Sequence, residues 1–109
     1  MTFTAPQPGN SYTTQGTDVG IVNIFTNGTI GPVTWLTSTL GVWEYGSHLT
    51  TFGTGYYFVS WYNADSSDAN RHYLAAIIDT SFNFQIGPED ITNLVGESWM
   101  EIEWKPCLP

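Results

Sequence analysis

The sequence predicts an all-β protein, and three observations support this. Thr, Val, Ile and aromatic residues, which suit pleated strands, occur in short runs separated by Gly, Pro and Asn. No apolar pattern keeps the 3.6-residue helical period over three turns. Part of the first strand-like run recurs later in the chain. A length of 109 residues suits one domain, so we expect a single all-β domain over residues 1–109.

The first third of the chain predicts an arm followed by a hairpin. Residues 1–16 contain two prolines and little apolar periodicity, which predicts an extended N-terminal arm or an irregular edge. Residues 19–25 are rich in β-branched and aromatic side chains and predict the first strand. The Asn27-Gly28 pair then marks a hairpin turn, because both residues tolerate a positive φ. The second strand is expected over residues 33–36.

The middle of the chain predicts a second hairpin. Residues 49–52 and 56–62 are the two strands, and the glycines at 53 and 55 supply the turn. Nearly every side chain from 56 to 61 is apolar or aromatic, which is typical of a strand covered on both faces. We therefore expect Phe58 and Trp61 in the core.

Further strands are expected towards the C-terminus. Residues 63–70 form a polar loop, and residues 72–79 and 82–91 return as extended segments. Residues 99–104 alternate between apolar and acidic side chains, which predicts a half-exposed strand with Trp104 facing inward.

Two segments of the chain are similar to one another. Residues 21–25 (IVNIF) correspond to residues 74–78 (LAAII), 53 positions later. The Ile-Gly-Pro at residues 30–32 recurs at residues 86–88, 56 positions later, and the three extra residues fall in the turn. A period of this size is typical of a repeated β-unit such as a propeller blade. The alternative is chance similarity between two hairpins.

The segment from Gly55 to Asn93 resembles the β-propeller-like repeats of roughly 50 residues found in large bacterial extracellular proteins. In those repeats a Gly-aromatic-Val-x-Trp strand leads through a polar loop to a Tyr-Ala strand, a turn and a further extended segment. The resemblance implies a fold and carries no catalytic residue. The matching positions are Gly55, Phe58, Val59, Trp61, Asp65, Asp68, Tyr73, Ala75, Asp79, Gly87, Ile91 and Asn93.

The expected architecture is two repeated antiparallel β-units that resemble propeller blades. Two units cannot close a ring, since propellers use about four to eight blades, so copies of the chain or other subunits would complete it. The alternative is a single β-sandwich or jelly roll. Both arrangements leave strand edges open to a partner.

Charge excludes several classes of partner. Arg71 and Lys105 are the only Lys or Arg residues, against ten carboxylates, and the formal net charge is −8. Nucleic acids require clustered basic residues, so we expect no nucleic-acid binding. No apolar run approaches the roughly 20 residues of a membrane span, and no signal peptide is recognisable. We expect cytoplasmic synthesis followed by assembly into an extracellular particle, or release.

Catalysis is not expected. His48 and His72 are the only histidines, and neither belongs to a GxSxG or HExxH motif. Phosphate-binding loops are also absent from the sequence. We therefore expect a protein that is not an enzyme.

The polar loop offers oxygen ligands at alternate positions. Calcium sites can be built from such turns, but the Gly and the terminal Glu of an EF-type loop are missing. A solvated turn, in which the Asx side chains bond to their own backbone, is the favoured interpretation, and no cofactor is expected. The four candidate ligands are Asn63, Asp65, Ser67 and Asp68.

Aromatic residues near predicted turns are candidates for carbohydrate binding. A ring face can stack on a sugar while neighbouring Asn, Asp and Thr side chains bond to its hydroxyls. The alternative is that the rings pack in the core or in a subunit interface. The candidates are Trp35, Trp43, Tyr45, Tyr56 and Tyr62.

Two functions are compatible with these patterns. The first is a non-enzymatic structural subunit of an extracellular particle, such as a phage virion, decoration or fibre component, whose partners are copies of itself or other subunits. The second is a small leaderless lectin that binds glycans. The low charge and the proline-bearing arm favour the first.

Overall fold

The computed structural model describes residues 1–64 and 71–92, and it confirms the all-β class. Strands account for 58% of the described residues and helix for 6%. The elements are β1 (Thr2–Ala5), α1 (Tyr12–Gln15), β2 (Gly16–Ile21), β3 (Thr34–Trp35), β4 (Val42–Phe52), β5 (Tyr56–Ala64), β6 (Arg71–Asp79) and β7 (Phe84–Asp90).

The strands form one sheet in the order β1-β2-β4-β5-β6-β7, with β3 also paired to β2. Every pairing is antiparallel except that of β2 with β4, which is parallel. The first half of β2 pairs with β4, and its second half pairs with β3. Because β2 pairs with three other strands, all six of its residues are buried.

The core lies between β2 and the meander of β4, β5 and β6. Directly opposed residues of antiparallel strands share a face, so Val59 and Ala76, which are register partners, enter the core together. Trp61 is buried there, as predicted. Phe58 is only partly buried, and its ring centroid lies 4.5 Å from that of Phe52. The buried cluster is Val19, Ile21, Leu36, Val59, Trp61, Ala76 and Ile78.

The N-terminal segment lies at the edge of the sheet, so the expectation of an extended arm over residues 1–16 is corrected in favour of the alternative, an edge. Residues 2–5 form β1 and pair with β2. The Phe3 ring lies over Gly20, where an added Cβ would come within 2.5 Å of it. Phe3 also meets the Trp35 ring edge-on, at 5.7 Å between centroids. Pairing and ring packing together hold this segment as an edge strand.

The two similar segments share one local feature. Ile24 pairs with Ile30, and Ile77 pairs with Ile86 at the equivalent positions. The first pair is an isolated bridge in an exposed hairpin, whereas the second belongs to the ladder of β6 and β7. Each segment thus places one isoleucine pair across a turn, but two repeated blade-like units are not confirmed.

The last two expectations concern the C-terminal strand and membrane-spanning helices. The predicted strand at residues 99–104, with Trp104, lies outside the described residues. Within the described part of the chain, no helix has the length and apolar character needed to span a membrane.

Candidate functional site

Strands β4, β5 and β6 bring three tyrosines onto one face of the sheet. Tyr45 and Tyr62 are register partners, and so are Tyr62 and Tyr73. Their ring centroids are 5.6 Å and 5.8 Å apart, respectively. Cross-strand pairing therefore builds a continuous row of rings.

The short helix α1 extends this row. The Tyr12 hydroxyl lies 3.4 Å from that of Tyr45, and the Tyr12 ring meets Trp43 edge-on at 6.5 Å between centroids. The indole N–H of Trp43 donates a hydrogen bond of 2.9 Å to the Tyr12 carbonyl. Trp43 thus fixes the position of α1 against β4.

A cation completes the row. The Arg71 guanidinium carbon lies 4.7 Å from the centroid of the Tyr62 ring, which is a cation–π arrangement. We call Tyr12, Tyr45, Tyr62 and Arg71 the tyrosine surface. Trp43 and Tyr73 are its buried floor.

The tyrosine surface has the chemistry of a recognition site. Each ring presents an apolar face and a hydroxyl, so it can contact a sugar or a protein side chain without a large desolvation cost. Tyr and Arg are also the residues that dominate the energetics of protein interfaces. The surface can therefore bind by stacking, hydrogen bonding and one positive charge.

The structure brings together three of the five predicted carbohydrate-binding residues. Trp43, Tyr45 and Tyr62 meet at the tyrosine surface, although Trp43 is only 9% exposed and cannot serve as a stacking plate. Trp35 instead packs against β1, and Tyr56 lies exposed at the opposite end of β5.

Two residues of the tyrosine surface were not predicted. Tyr12 lies in the segment expected to be an arm, and Arg71 was considered only as a charge. Arg71 could have been predicted by pairing the aromatic-rich strands with one another, because a basic residue begins the next strand. No local pattern indicates that Tyr12 folds back onto β4.

The predicted metal ligands are not brought together among the described residues. Asn63 lies in β5 opposite His72, while Asp65, Ser67 and Asp68 lie outside the described residues. Within residues 1–64 and 71–92, no group of three or more His, Cys, Asp or Glu side chains is placed to hold a metal ion.

His72 has a carboxylate neighbour on the surface. Its Nδ1 lies 2.8 Å from Oδ2 of Asp90. The hydroxyl and backbone N–H of Thr92 donate to the other oxygen of Asp90. These bonds from Thr92, together with His72, lower the pKa of Asp90.

A second surface is the hairpin of residues 23–33, which we call the apolar hairpin. Asn27 forms its turn, since its Oδ1 accepts hydrogen bonds from the backbone N–H and the hydroxyl of Thr29. Gly28 has φ +87°, as the predicted Asn-Gly turn requires. Four apolar side chains on the hairpin are between 45% and 64% exposed, namely Ile24, Phe25, Ile30 and Val33.

The apolar hairpin lies in the uncharged part of the chain. No Asp, Glu, Lys, Arg or His occurs between Asp18 and Glu44, although the chain carries a net charge of −8. Four exposed apolar side chains thus lie in a segment that carries no charge of its own. Such patches mark interaction sites.

Two buried carboxyl groups lie at the junction of β2 and β4. Asp18 is well bonded: it accepts hydrogen bonds from the side chains of Gln7 and Thr37 and from the backbone N–H of Thr39. Glu44 is 2% exposed, and its Oε2 has no hydrogen-bond partner among the described residues.

Burial raises the pKa of Glu44 from its usual 4.5 to about 7, and the charge of Asp18 adds to the rise. The nearby indole N–H of Trp61 offsets part of it, without a hydrogen bond of good geometry. Glu44 therefore favours its neutral form in the folded protein.

Comparison with known proteins identifies no relative. No family model, curated protein or solved structure matches the chain.

Proposed function

We propose that this chain is a non-enzymatic structural subunit of an extracellular particle, such as a virion, decoration or fibre component of a phage. The observation that carries the proposal is the apolar hairpin, an uncharged and exposed apolar segment on an otherwise acidic chain. Its partners are copies of the chain or other subunits of the particle. The role requires no cofactor, nucleic acid or membrane insertion.

The energetics of the apolar hairpin support assembly. A half-exposed Ile or Phe leaves about 100 Å² in contact with water, so the four side chains expose about 400 Å². At about 25 cal/mol per Å², covering this area would stabilise a contact by about 10 kcal/mol before the entropic cost of association. A subunit that is covered by a neighbour gains this free energy, whereas a free monomer does not.

The particle role also accommodates the repeat. If residues 21–32 and 74–88 derive from one duplicated blade-like unit, the equivalent isoleucine pairs are its common feature. Neighbouring subunits would then supply the strands that a two-unit chain lacks. A single sandwich or jelly roll would need no such completion.

Cosedimentation tests the proposal. Particles released by the producing cells are separated on a density gradient, and each fraction is probed for the chain. We expect the chain to sediment with intact particles and to be released when they are dissociated. Recovery of the chain only at the mass of a free monomer or small oligomer would overturn the particle role.

The tyrosine surface supports the second candidate, a carbohydrate-binding lectin. Tyr45 and Tyr62 present adjacent rings, and Arg71 and the hydroxyl of Tyr12 lie within reach of the same ligand. Ring stacking and hydroxyl hydrogen bonds are the contacts that recognise sugars.

A glycan array measures this second candidate directly. If the chain is a lectin, the isolated protein binds a subset of glycans, and Tyr62→Ala weakens that binding at least about tenfold, or about 1.4 kcal/mol. Tyr56→Ala is the matched control, because Tyr56 is exposed on the same strand at its opposite end. Equal losses in both variants, or no binding by the wild type, would exclude this use of the tyrosine surface.

A further inference from the structure

Within residues 1–64 and 71–92, nothing pairs with the outer backbone edges of the apolar hairpin, so each side is open. The N–H of Phe25 donates to the carbonyl of Thr29, and the N–H of Gly31 donates to the carbonyl of Asn23. These two bonds flank the pair formed by Ile24 and Ile30, which is therefore a non-hydrogen-bonded pair of an antiparallel ladder. In that geometry the N–H and C=O groups of both isoleucines point away from the hairpin.

The side chains at this edge are also exposed, so they can contact a partner. Ile24 and Ile30 are opposed on one face of the hairpin, and both are more than half exposed. Phe25 projects on the other face, where its ring lies near Gly31. An exposed edge with apolar side chains on both faces is a template for pairing with another strand.

Charge indicates which strand would pair with the open edge of the apolar hairpin. The chain has a net charge of −8, so two copies repel each other through most of their surfaces. The apolar hairpin belongs to the uncharged stretch of sequence between Asp18 and Glu44, so two hairpins bring no charges of their own together. It carries no charge that would select a basic or acidic partner.

The outer edge of β7 is less suited to the same role. The register between β6 and β7 is irregular at two places. Bulges of this kind twist an edge strand and hinder its pairing with another strand. Glu89 and Asp90 also place two carboxylates on β7, which two copies would have to bring together.

We propose that the apolar hairpin binds the apolar hairpin of a second copy of this chain across a two-fold axis. An open strand edge of one copy pairs with the same edge of the other, and the isoleucines of the two copies pack together. The inference deepens the proposed function by naming the partner of the apolar hairpin, and it rests on that function for its biological setting.

The contact area predicts a weak dimer. About 400 Å² from each copy gives about 800 Å² in total, below the roughly 1,200 Å² of stable interfaces. We therefore expect dissociation in the micromolar range or weaker for the isolated chain. Within a particle, neighbouring contacts raise the effective concentration, so a weak contact suffices there.

Sedimentation equilibrium of the purified chain tests the pairing, from about 1 μM to about 1 mM. We expect a monomer–dimer equilibrium in the wild type, and Ile30→Asp should lower the association constant at least about tenfold. Ile86→Asp is the matched control, since Ile86 is 56% exposed and stands in the same Ile-Gly-Pro context, but on β7. It should associate like the wild type. Circular dichroism checks that both variants keep their β-structure.

Hydrogen exchange provides a second readout. One of the two amides, that of Ile24 or that of Ile30, should become more protected as concentration rises, because each lies on a different edge of the hairpin and only one edge pairs in the dimer. A wild type that stays monomeric throughout, or equal losses in both variants, would overturn the inference.

The inference and the proposed function can fail separately. A monomeric purified chain that nevertheless sediments with particles would leave the particle role intact and assign the apolar hairpin to a different subunit. Dimerisation without cosedimentation would keep the pairing and exclude the particle role.

Discussion

Glu44 is the residue whose environment departs most from what its type prefers. Carboxylates are rarely buried unless they are paired, yet Glu44 is buried and one of its oxygens has no hydrogen-bond partner among the described residues. Its pKa in the folded protein is about 7, well above that of an exposed glutamate. In the unfolded chain Glu44 releases its proton more easily.

This difference predicts that stability falls as pH rises. Between about pH 4.5 and pH 7 the folded state retains a proton that the unfolded state has lost, so the free energy of unfolding decreases. The shift corresponds to about 3 kcal/mol. Glu44→Gln stays neutral at all pH values, so it should match the wild type near pH 4.5 and be more stable above pH 7. Urea denaturation across this range measures the difference.

Asp90 supplies a control of opposite sign. Its folded-state pKa is lowered, so its stabilising contribution is present at neutral pH and is lost as pH falls through the folded-state pKa. Asp90→Asn should therefore reduce stability at neutral pH and have little effect in strong acid. If Glu44→Gln shows the same trend as Asp90→Asn, the account of Glu44 is wrong.

At the scale of elements, the contact of β1 with β2 depends on a glycine. Gly20 leaves room for the Phe3 ring, which in turn meets Trp35 on β3. A side chain at position 20 would displace the ring and weaken β1 and β3 together.

Gly20→Ala should destabilise the protein by about 1–3 kcal/mol, the usual cost of overpacking. Gly31→Ala is the control, because an added Cβ there would find its nearest neighbour at 3.5 Å, an ordinary contact. Thermal unfolding of both variants measures the difference. Similar melting temperatures for the two would show that Phe3 moves aside without cost.

The sequence predicted some elements well and others only in part. The strands predicted at residues 56–62 and 72–79 correspond to β5 and β6, since continuous β-branched and aromatic runs are typical of buried strands. β4 begins at Val42, seven residues before the predicted strand, because Glu44 and Gly46 interrupt the apolar pattern. The register shift after Tyr45 accommodates this interruption. The start of β4 is therefore determined by tertiary contacts, which no local sequence pattern predicts.

The candidate site was predictable to the same extent. The sequence places Tyr45 and Tyr62 near turns, but their meeting depends on the register between β4 and β5. That register is set by a bulge and not by a recognisable motif. Tyr12 joins them only because α1 folds back onto Trp43.

For the molecule as a whole, net charge sets the response to salt. Ten carboxylates face two Lys or Arg residues, so the folded chain and any pair of copies are repelled by their own charge. Salt screens this repulsion over about 10 Å at 0.1 M.

Raising the salt concentration from about 0.01 M to about 0.5 M should strengthen both folding and the pairing of apolar hairpins. Sodium chloride is the appropriate salt, and sedimentation equilibrium at each concentration measures the association constant. Ile30→Asp should associate more weakly than the wild type at every salt concentration, because its apolar contact is lost. Association that weakens with salt would show that opposite charges, and not apolar contact, hold the copies together.

The pairing of β2 with three other strands affects how fast its backbone amides exchange with solvent. Its amides are enclosed by β1, β3 and β4, so we expect deuterium to enter them only when several strands separate together. The slowest-labelling positions of the protein should therefore be those of residues 16–21, and their rates should report global unfolding. The turn around Asn27 should label within the first time points, through fraying that leaves the rest of the sheet closed.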